Sequence, residues 1–244
     1  MQHQESMNVD MRVRIGTLDL RNPVMTASGT FASGREYADF MDVAGLGAIV
    51  TKGVSMQPWA GNASPRIAET ASGMLNSIGL QNPGVEAFCV KDLSWLAEQD
   101  VPVIVNLSGH SLAEYVSVAE RLEREPTVDA FELNISCPNV DEGGMAFGTT
   151  CAAAADVTRA VRAVTGKTLI VKLSPNVTDI AEIARAVESE GEDAVSLINT
   201  LLSMAIDTDT WTPKLARSVG GLSGPAVKPV AVRMVWQVAS AGSV

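Results

Sequence analysis

The sequence predicts an α/β fold built on a parallel sheet, and three observations carry that expectation. Short apolar runs alternate six times with segments of helical period, the pattern of strands covered by helices. The runs are continuously apolar, as strands buried on both faces are. Nearly every run ends in a polar residue: Ser28, Lys52, Asn106, Asn134, Lys172 and Asn199. A doubly wound sheet gathers its ligand residues at one switch point, whereas polar groups on successive strand tips suit a (β/α)8 TIM barrel with its site at the C-terminal mouth. A closed barrel takes eight units, so the expected fold is an incomplete one, about six of eight, preceded by a β-hairpin.

Residues 1–10 read as a disordered lead, and residues 11–244 as one incomplete barrel domain. Val13–Ile15 and Leu18–Leu20 flank Gly16–Thr17, a two-residue hairpin signal. Val24–Ala27 is a short strand ending in Ser28–Gly29. A helix is expected from about Arg35 to Val43, closed by Gly45 and Gly47. Ala48–Thr51 is the next strand, ending in Lys52–Gly53. Residues 54–83 are rich in Gly, Pro, Asn and Ser, and a connection of that length is expected to be functional. Within it, the glycine of Asn76-Ser77-Ile78-Gly79-Leu80 lets backbone amides approach a ligand closely.

Val85–Glu98 is helical by pattern, with Phe88, Leu93 and Leu96 apolar. Val103–Val105 is a strand ending in Asn106. Ser111–Arg124 places Leu112, Tyr115, Val116, Ala119 and Leu122 on one helical face. The central strand, Val128–Leu133, runs into Asn134, Ser136 and Cys137 and stops at Pro138, which cannot donate a ladder hydrogen bond. A Gly-rich loop, Glu142–Gly148, precedes a helix over Cys151–Val164. Leu169–Val171 is a strand ending in Lys172, and Thr178–Glu188 is a helix with Ile180, Ile183, Ala184 and Val187 inward. Ala194–Ile198 is a strand ending in Asn199–Thr200. A second polar segment runs to Gly220–Gly224, and Ala226–Ala239 reads as a helix.

Composition narrows the function. A net charge of −10 and a pI near 4.7 argue against a nucleic-acid backbone as partner, because phosphate contacts need clustered Lys and Arg. Three cysteines, Cys89, Cys137 and Cys151, show no metal-finger spacing, and their odd number fits a reduced, cytoplasmic compartment. Cys89 and Cys151 fall in helical patterns and read as packing residues. Two histidines, His3 and His110, are too few for a His-based metal site. No run of about 18 apolar residues suggests a membrane span, and the start is too polar for a signal peptide.

The chemistry lies in the strand tips. No GxGxxG follows the first strand, and neither a P-loop nor GxSxG occurs. Lysines facing a barrel interior need an anionic partner, because a buried unpaired ammonium is costly. Asparagines offer donors and acceptors together, which suits a planar ligand with alternating carbonyl and N–H edges. Cys137 is the one obvious proton acceptor or nucleophile, with a reference pKa of about 8.5 that a nearby lysine lowers. The plain alternatives are Lys172 reaching solvent, Asn76 and Asn134 forming turns, and Cys137 packing as a small hydrophobe.

These segments resemble a known family. Asn22-Pro-Val-Met-Thr-Ala-Ser-Gly29, Thr51-Lys-Gly53, Asn76-Ser-Ile-Gly-Leu80, Glu132-Leu-Asn-Ile-Ser-Cys-Pro-Asn139, Val171-Lys-Leu-Ser-Pro175 and Gly220-Gly-Leu-Ser-Gly-Pro225 are similar to the motifs of class 1 dihydroorotate dehydrogenases, in the same order from about residue 11 onward. Gly143-Gly-Met-Ala-Phe-Gly148, with Asn199–Thr200, resembles the NAD-linked branch more than the fumarate-linked one.

The resemblance implies an FMN enzyme that oxidises dihydroorotate to orotate in pyrimidine biosynthesis. Cys137 would remove the C5 proton while hydride passes from C6 to the flavin. Lys52 would touch both FMN and substrate. Asn76, Ser77, Ile78, Gly79 and Leu80 would hold the substrate, with the last three amides near its carboxylate. Asn134 would contact flavin and substrate, and Asn199 and Thr200 the pyrimidine ring. Ser28, Gly53, Asn106, Lys172, Ile198 and Gly224 would line the flavin, with Lys172 at the pyrimidine end of the isoalloxazine. The NAD-linked branch further implies a homodimer joined to a subunit carrying FAD and a 2Fe–2S cluster, together a heterotetramer. The family has two more strand–helix units, whose Gly-rich loops hold the flavin phosphate. The sequence is therefore expected to lack the C-terminal part of the barrel. The competing readings are a non-catalytic barrel remnant and another FMN barrel acting on a reduced pyrimidine, such as the matching domain of dihydropyrimidine dehydrogenase. A dihydrouridine synthase would need a basic RNA-binding face, which the net charge disfavours.

Overall fold

In the computed structural model, which describes residues 9–136 and 147–242, the chain opens on an antiparallel hairpin, β1 (Val13–Ile15) with β2 (Leu18–Leu20). It then runs through β3 (Ile49–Val50), β4 (Ile67–Thr70) and β5 (Gly73–Asn76). Residues 85–96 are helical throughout, as α1 (Val85–Phe88), a π-helical turn over Cys89–Leu93 and α2 (Ser94–Leu96). A regular alternation follows: β6 (Val103–Leu107), α3 (Leu112–Glu123), β7 (Ala130–Asn134), α4 (Cys151–Arg162), β8 (Thr168–Lys172), α5 (Ile180–Glu188) and β9 (Ala194–Ser196). The last elements are β10 (Leu201–Met204), β11 (Ile206–Asp207), β12 (Thr212–Pro213), β13 (Val219–Ser223) and α6 (Lys228–Ser240).

β3, β6, β7, β8 and β9 form a parallel sheet in that order, so each strand lies beside the next one in the chain. Side chains alternate across it with period two. Phe131 and Leu133 of β7, with Val103, Val105, Leu107, Leu169 and Val171, pack outward onto Tyr115, Val118, Leu122, Val157, Val161, Ile183 and Val187 of the helices. Ala130, Ile104, Ile170, Ala48 and Val50 point to the other face, where Leu18 and Leu20 of the hairpin close over them. The hairpin is tied at the base of the sheet by Thr17, whose amide donates to Thr168 Oγ1 at 3.0 Å. Gly16 is required there twice, by φ of +54° and by the 2.8 Å that would separate a β-carbon from Thr168 Oγ1. Ser111, Thr150 and Asp179 cap α3, α4 and α5 by accepting amide hydrogen bonds two or three residues on.

Three expectations are corrected. The sheet has five strands where six were read, because 24–27 contributes a single bridge, Met25 to Ala48. The Thr26 side chain takes over the ladder there: its Oγ1 accepts from the Val50 amide at 2.8 Å and donates to Val50 O at 3.2 Å. The helix expected from 35 to 43 is a series of turns followed by a 3-10 turn at Val43–Gly45. Ala32 and Gly34 both have positive φ, and Tyr37, Phe40 and Met41 stay exposed, so no apolar face drives a helix. The two segments read as loops pair with each other instead: β10, β13, β5 and β4 make a four-stranded antiparallel sheet.

Of the two packing cysteines, Cys89 is half-buried against the core, and burial pushes its thiol pKa up. Cys151 is exposed at the first position of α4, where a helical pattern begins before its apolar face does. Cys137 lies outside the described residues.

Glu192, between α5 and β9, has both carboxylate oxygens out of solvent and, among the described residues, no hydrogen-bond partner beyond its own amide. Burial first, then the charges of Glu188 and Asp193, push its pKa up to about 7 from 4.5. A raised carboxyl pKa makes ionisation costlier in the folded state, so stability falls as pH rises between those two values. Glu192→Gln is accordingly expected to raise the melting temperature at pH ~8 and to change it little below pH ~4.5, a pattern that thermal melts across pH will check. Phe131, fully buried at the centre of the outer core, is expected to cost about 3–5 kcal/mol on substitution by Ala, measured by denaturant unfolding.

Candidate active site

Above the apolar tier closed by the hairpin, the inward face of the parallel sheet turns polar. Period two places Glu132 and Asn134 on the same side of β7 as Ala130, and Lys172 on the same side of β8 as Ile170. Glu132 is 6% exposed. Its Oε1 accepts from Asn106 Nδ2 at 2.6 Å and its Oε2 from Ser196 Oγ at 2.9 Å. Lys172 Nζ stands 3.7 Å from Glu132 Oε1 and donates to Ser28 Oγ at 3.0 Å. Asn106 Nδ2 also reaches Ser28 Oγ, at 3.4 Å. Residues from four strand ends and the segment after Ala27 thus form one buried network around an ion pair.

A second tier sits one step further along. Asn134 Oδ1 accepts from Ser136 Oγ at 3.0 Å and from Asn199 Nδ2 at 3.5 Å. Asn199 Nδ2 donates to Ser136 Oγ at 2.9 Å, while its Oδ1 accepts from the Thr200 amide at 2.7 Å. Ser136 Oγ lies 3.3 Å from Lys172 O, which joins the tiers. Tyr115 of α3 fixes β7 from behind, its hydroxyl donating to Asn134 O at 2.6 Å.

The antiparallel sheet brings the remaining polar segment alongside. Asn76 ends β5 opposite Gly221 of β13, and its Nδ2 donates to Gly221 O at 3.4 Å. A β-carbon at Gly221 would lie 2.0 Å from Thr200 Oγ1, so glycine admits Thr200 against the sheet. Ser77 follows with its amide donating to Arg66 O at 2.8 Å, and Ile78 O accepts from the Asn62 amide at 3.0 Å. Gly79 and Leu80 both have positive φ, +74° and +53°, a sharp turn that leucine rarely adopts. On the opposite side, Lys52 and Gly53 follow β3; the Lys52 amide donates to Ala32 O, and a β-carbon at Gly53 would stand 2.4 Å from Ser108 Oγ.

The structure therefore joins Ser28, Asn106 and Lys172 in one network, and Asn134, Asn199 and Thr200, with Asn76 beyond them, in the other. Ile198, joined to Leu197 by a cis peptide, packs against the outer core. Gly224, at φ +101°, lies against Ser72 and Gly73 at the end of the small sheet. Cys137 is not among the described residues. Three participants carried no role in the sequence reading: Glu132, Ser196 and Ser136. A carboxylate flanked by apolar Phe131 and Leu133 was the available signal for Glu132, since a lysine turned toward the barrel interior requires an anion and the protein supplies it itself. Ser77 Oγ and Ser108 Oγ are buried without a partner among the described residues, at the two flanks of the site.

Residues 10–243 match the family model described as dihydroorotate dehydrogenase. A protein of Alkaliphilus oremlandii named dihydroorotate dehydrogenase B (NAD(+)), catalytic subunit, is 59% identical over 232 residues, covering 95% of this chain and 76% of that protein. Proteins of the same name from Trichlorobacter lovleyi and Parabacteroides distasonis are 57% and 58% identical, covering 96% and 93% of this chain and 77% and 75% of theirs. With its motifs, its polar strand tips and these relatives in agreement, the chain belongs to the dihydroorotate dehydrogenase family of oxidoreductases, in the B-type branch.

Proposed function

We propose that this chain oxidises (S)-dihydroorotate to orotate in pyrimidine (UMP) biosynthesis with FMN as its cofactor. The observation that carries the reading is the half-buried ammonium of Lys172, set among Ser28, Asn106 and Glu132 at the tips of parallel strands. The donor set fits a flavin. The isoalloxazine is planar and its pyrimidine edge alternates carbonyl and N–H groups, which amides, hydroxyls and an ammonium match. The unpartnered hydroxyl of Ser108, beside Gly53 and Asn106, offers one more polar atom on that side.

Oxidation removes the C5 hydrogen of dihydroorotate as a proton and the C6 hydrogen as a hydride, leaving a C5–C6 double bond. FMN, when bound, supplies the acceptor for the hydride. Cys137 takes the C5 proton as its thiolate. Asn134, Asn199 and Thr200 orient the pyrimidine ring by its amide edges, while Asn76, Ser77, Ile78, Gly79 and Leu80 hold the carboxylate end. Lys52 would contact both cofactor and substrate, and Gly53, Ile198 and Gly224 would help to hold the flavin. Lys172 places fixed positive charge where negative charge develops on reduction, which requires no reorganisation during the reaction.

The electrons continue to NAD through a partner subunit carrying FAD and a 2Fe–2S cluster, two copies of each chain forming a heterotetramer. The name "catalytic subunit" borne by the relatives supports a partner. Exposed Ile67, Leu202, Met204 and Val219 on the small antiparallel sheet give apolar area suited to a protein contact. Among the described residues no helix is long and apolar enough to cross a membrane.

Anaerobic addition of dihydroorotate to the purified flavin-loaded protein is expected to bleach its visible absorbance. A flavin that responds only to another reduced pyrimidine, or a protein that takes up no flavin, overturns the reading. Cys137→Ser is expected to slow that half-reaction by about 10²–10⁴-fold at neutral pH, read by stopped-flow absorbance, while orotate binding changes little. Unaltered kinetics in this variant would remove Cys137 from the reaction.

A further inference from the structure

We infer that Glu132 is a positioning residue that sets the electron affinity of the flavin by holding and partly neutralising Lys172. The inference rests on the reading that FMN lies with its pyrimidine edge at Lys172.

Glu132 lies in the middle of the sheet, with β6 and β8 on either side and its side chain 7% exposed. Both of its oxygens are engaged, Oε1 by Asn106 and Oε2 by Ser196. Its separation from Lys172 Nζ, 3.7 Å, leaves the ammonium near the carboxylate while its hydrogen bond goes to Ser28. That geometry divides two tasks. Asn106 and Ser196 fix the carboxylate, and the carboxylate fixes where the ammonium rests without taking up all its donors.

The charge consequence follows from Coulomb's law at short range in a low-dielectric interior. A lone ammonium at the flavin edge favours the reduced, negatively charged cofactor strongly. An ammonium with a carboxylate beside it presents a dipole, whose field at the same point is weaker. Glu132 therefore holds the flavin potential below the value Lys172 alone would give. A lower potential makes the reduced cofactor a better electron donor to whatever accepts from it. The residue serves the release of electrons as Lys172 serves their capture.

Substitution by glutamine isolates the charge. The amide oxygen still accepts from Asn106, and the amide nitrogen donates to Ser196 Oγ, so the hydrogen-bond count is kept while the negative charge goes. Spectroelectrochemical titration of the flavin-loaded protein reads the effect. Glu132→Gln is expected to favour the reduced flavin by at least tenfold, an upward shift of about 30 mV for a two-electron couple. Lys172→Met is expected to move the potential the opposite way. Glu132→Asp, which keeps the charge but withdraws it from Lys172, is expected to fall between wild type and the glutamine variant, and it carries the test if Glu132→Gln yields no folded protein. Opposite signs at the two partners are what loosened packing would not produce. A flavin potential that Lys172→Met leaves in place overturns the placement of the cofactor and the inference with it. A potential that responds to Lys172→Met and not to either Glu132 variant overturns the inference alone.

Discussion

An ammonium and a carboxylate kept side by side largely out of water are the constraint on which the mouth of this sheet depends. Removing each ion from solvent costs several kcal/mol, and their attraction alone scarcely offsets it. Neighbours meet the carboxylate's lone pairs, through Asn106 and Ser196, and the ammonium gives a hydrogen bond to Ser28. Asn106 comes from β6, Glu132 from β7, Lys172 from β8, Ser196 from β9, and Ser28 from the segment preceding β3. Each partner reaches its position only if its strand keeps register, because a one-residue slip would turn the polar group onto the helical side. The apolar tier beneath and the polar tier above are one alternation read at two heights.

That alternation explains what the sequence disclosed. Continuous apolar runs ending in Asn106, Asn134 and Lys172 marked the strands, and the capped helices α3, α4 and α5 fell close to their expected bounds because Ser111, Thr150 and Asp179 stop the chain locally. Resemblance of short motifs carried the family. What stayed hidden depends on distance along the chain. Gly221 pairs with Asn76 across 145 residues, and glycine-rich β5 and β13 have little strand preference of their own. Their pairing is decided by tertiary fit, as a β-carbon at Gly73 would stand 2.2 Å from Ser223 O. The helix expected from 35 to 43 was misread because spacing suggested a helix, while Tyr37, Phe40 and Met41 find no place to bury and only Val43 reaches the core. Glu132 was passed over because a single acidic residue within a strand is ordinarily a mark against burial.

The two sheets divide the labour of the site. The parallel sheet supplies rigid, buried groups whose positions are set by the core. The antiparallel sheet, half-exposed, carries Asn76 and the Ser77–Leu80 turn to the rim, where Thr200 meets Gly221. Binding groups on the more peripheral element and charge-bearing groups on the central one follow the usual economy of sites built on stable scaffolds.

The hairpin at the base has a bearing on how the polypeptide reaches its native state. Its turn is anchored to Thr168, 151 positions downstream, and Gly16 abuts Asp193. The hairpin thus has no finished seat until Thr168 and Asp193 have been synthesised. Such distant closure slows acquisition of the native topology. The stretch around residues 13–20 must wait unsheltered in the meantime, which makes the nascent chain a natural client for chaperones.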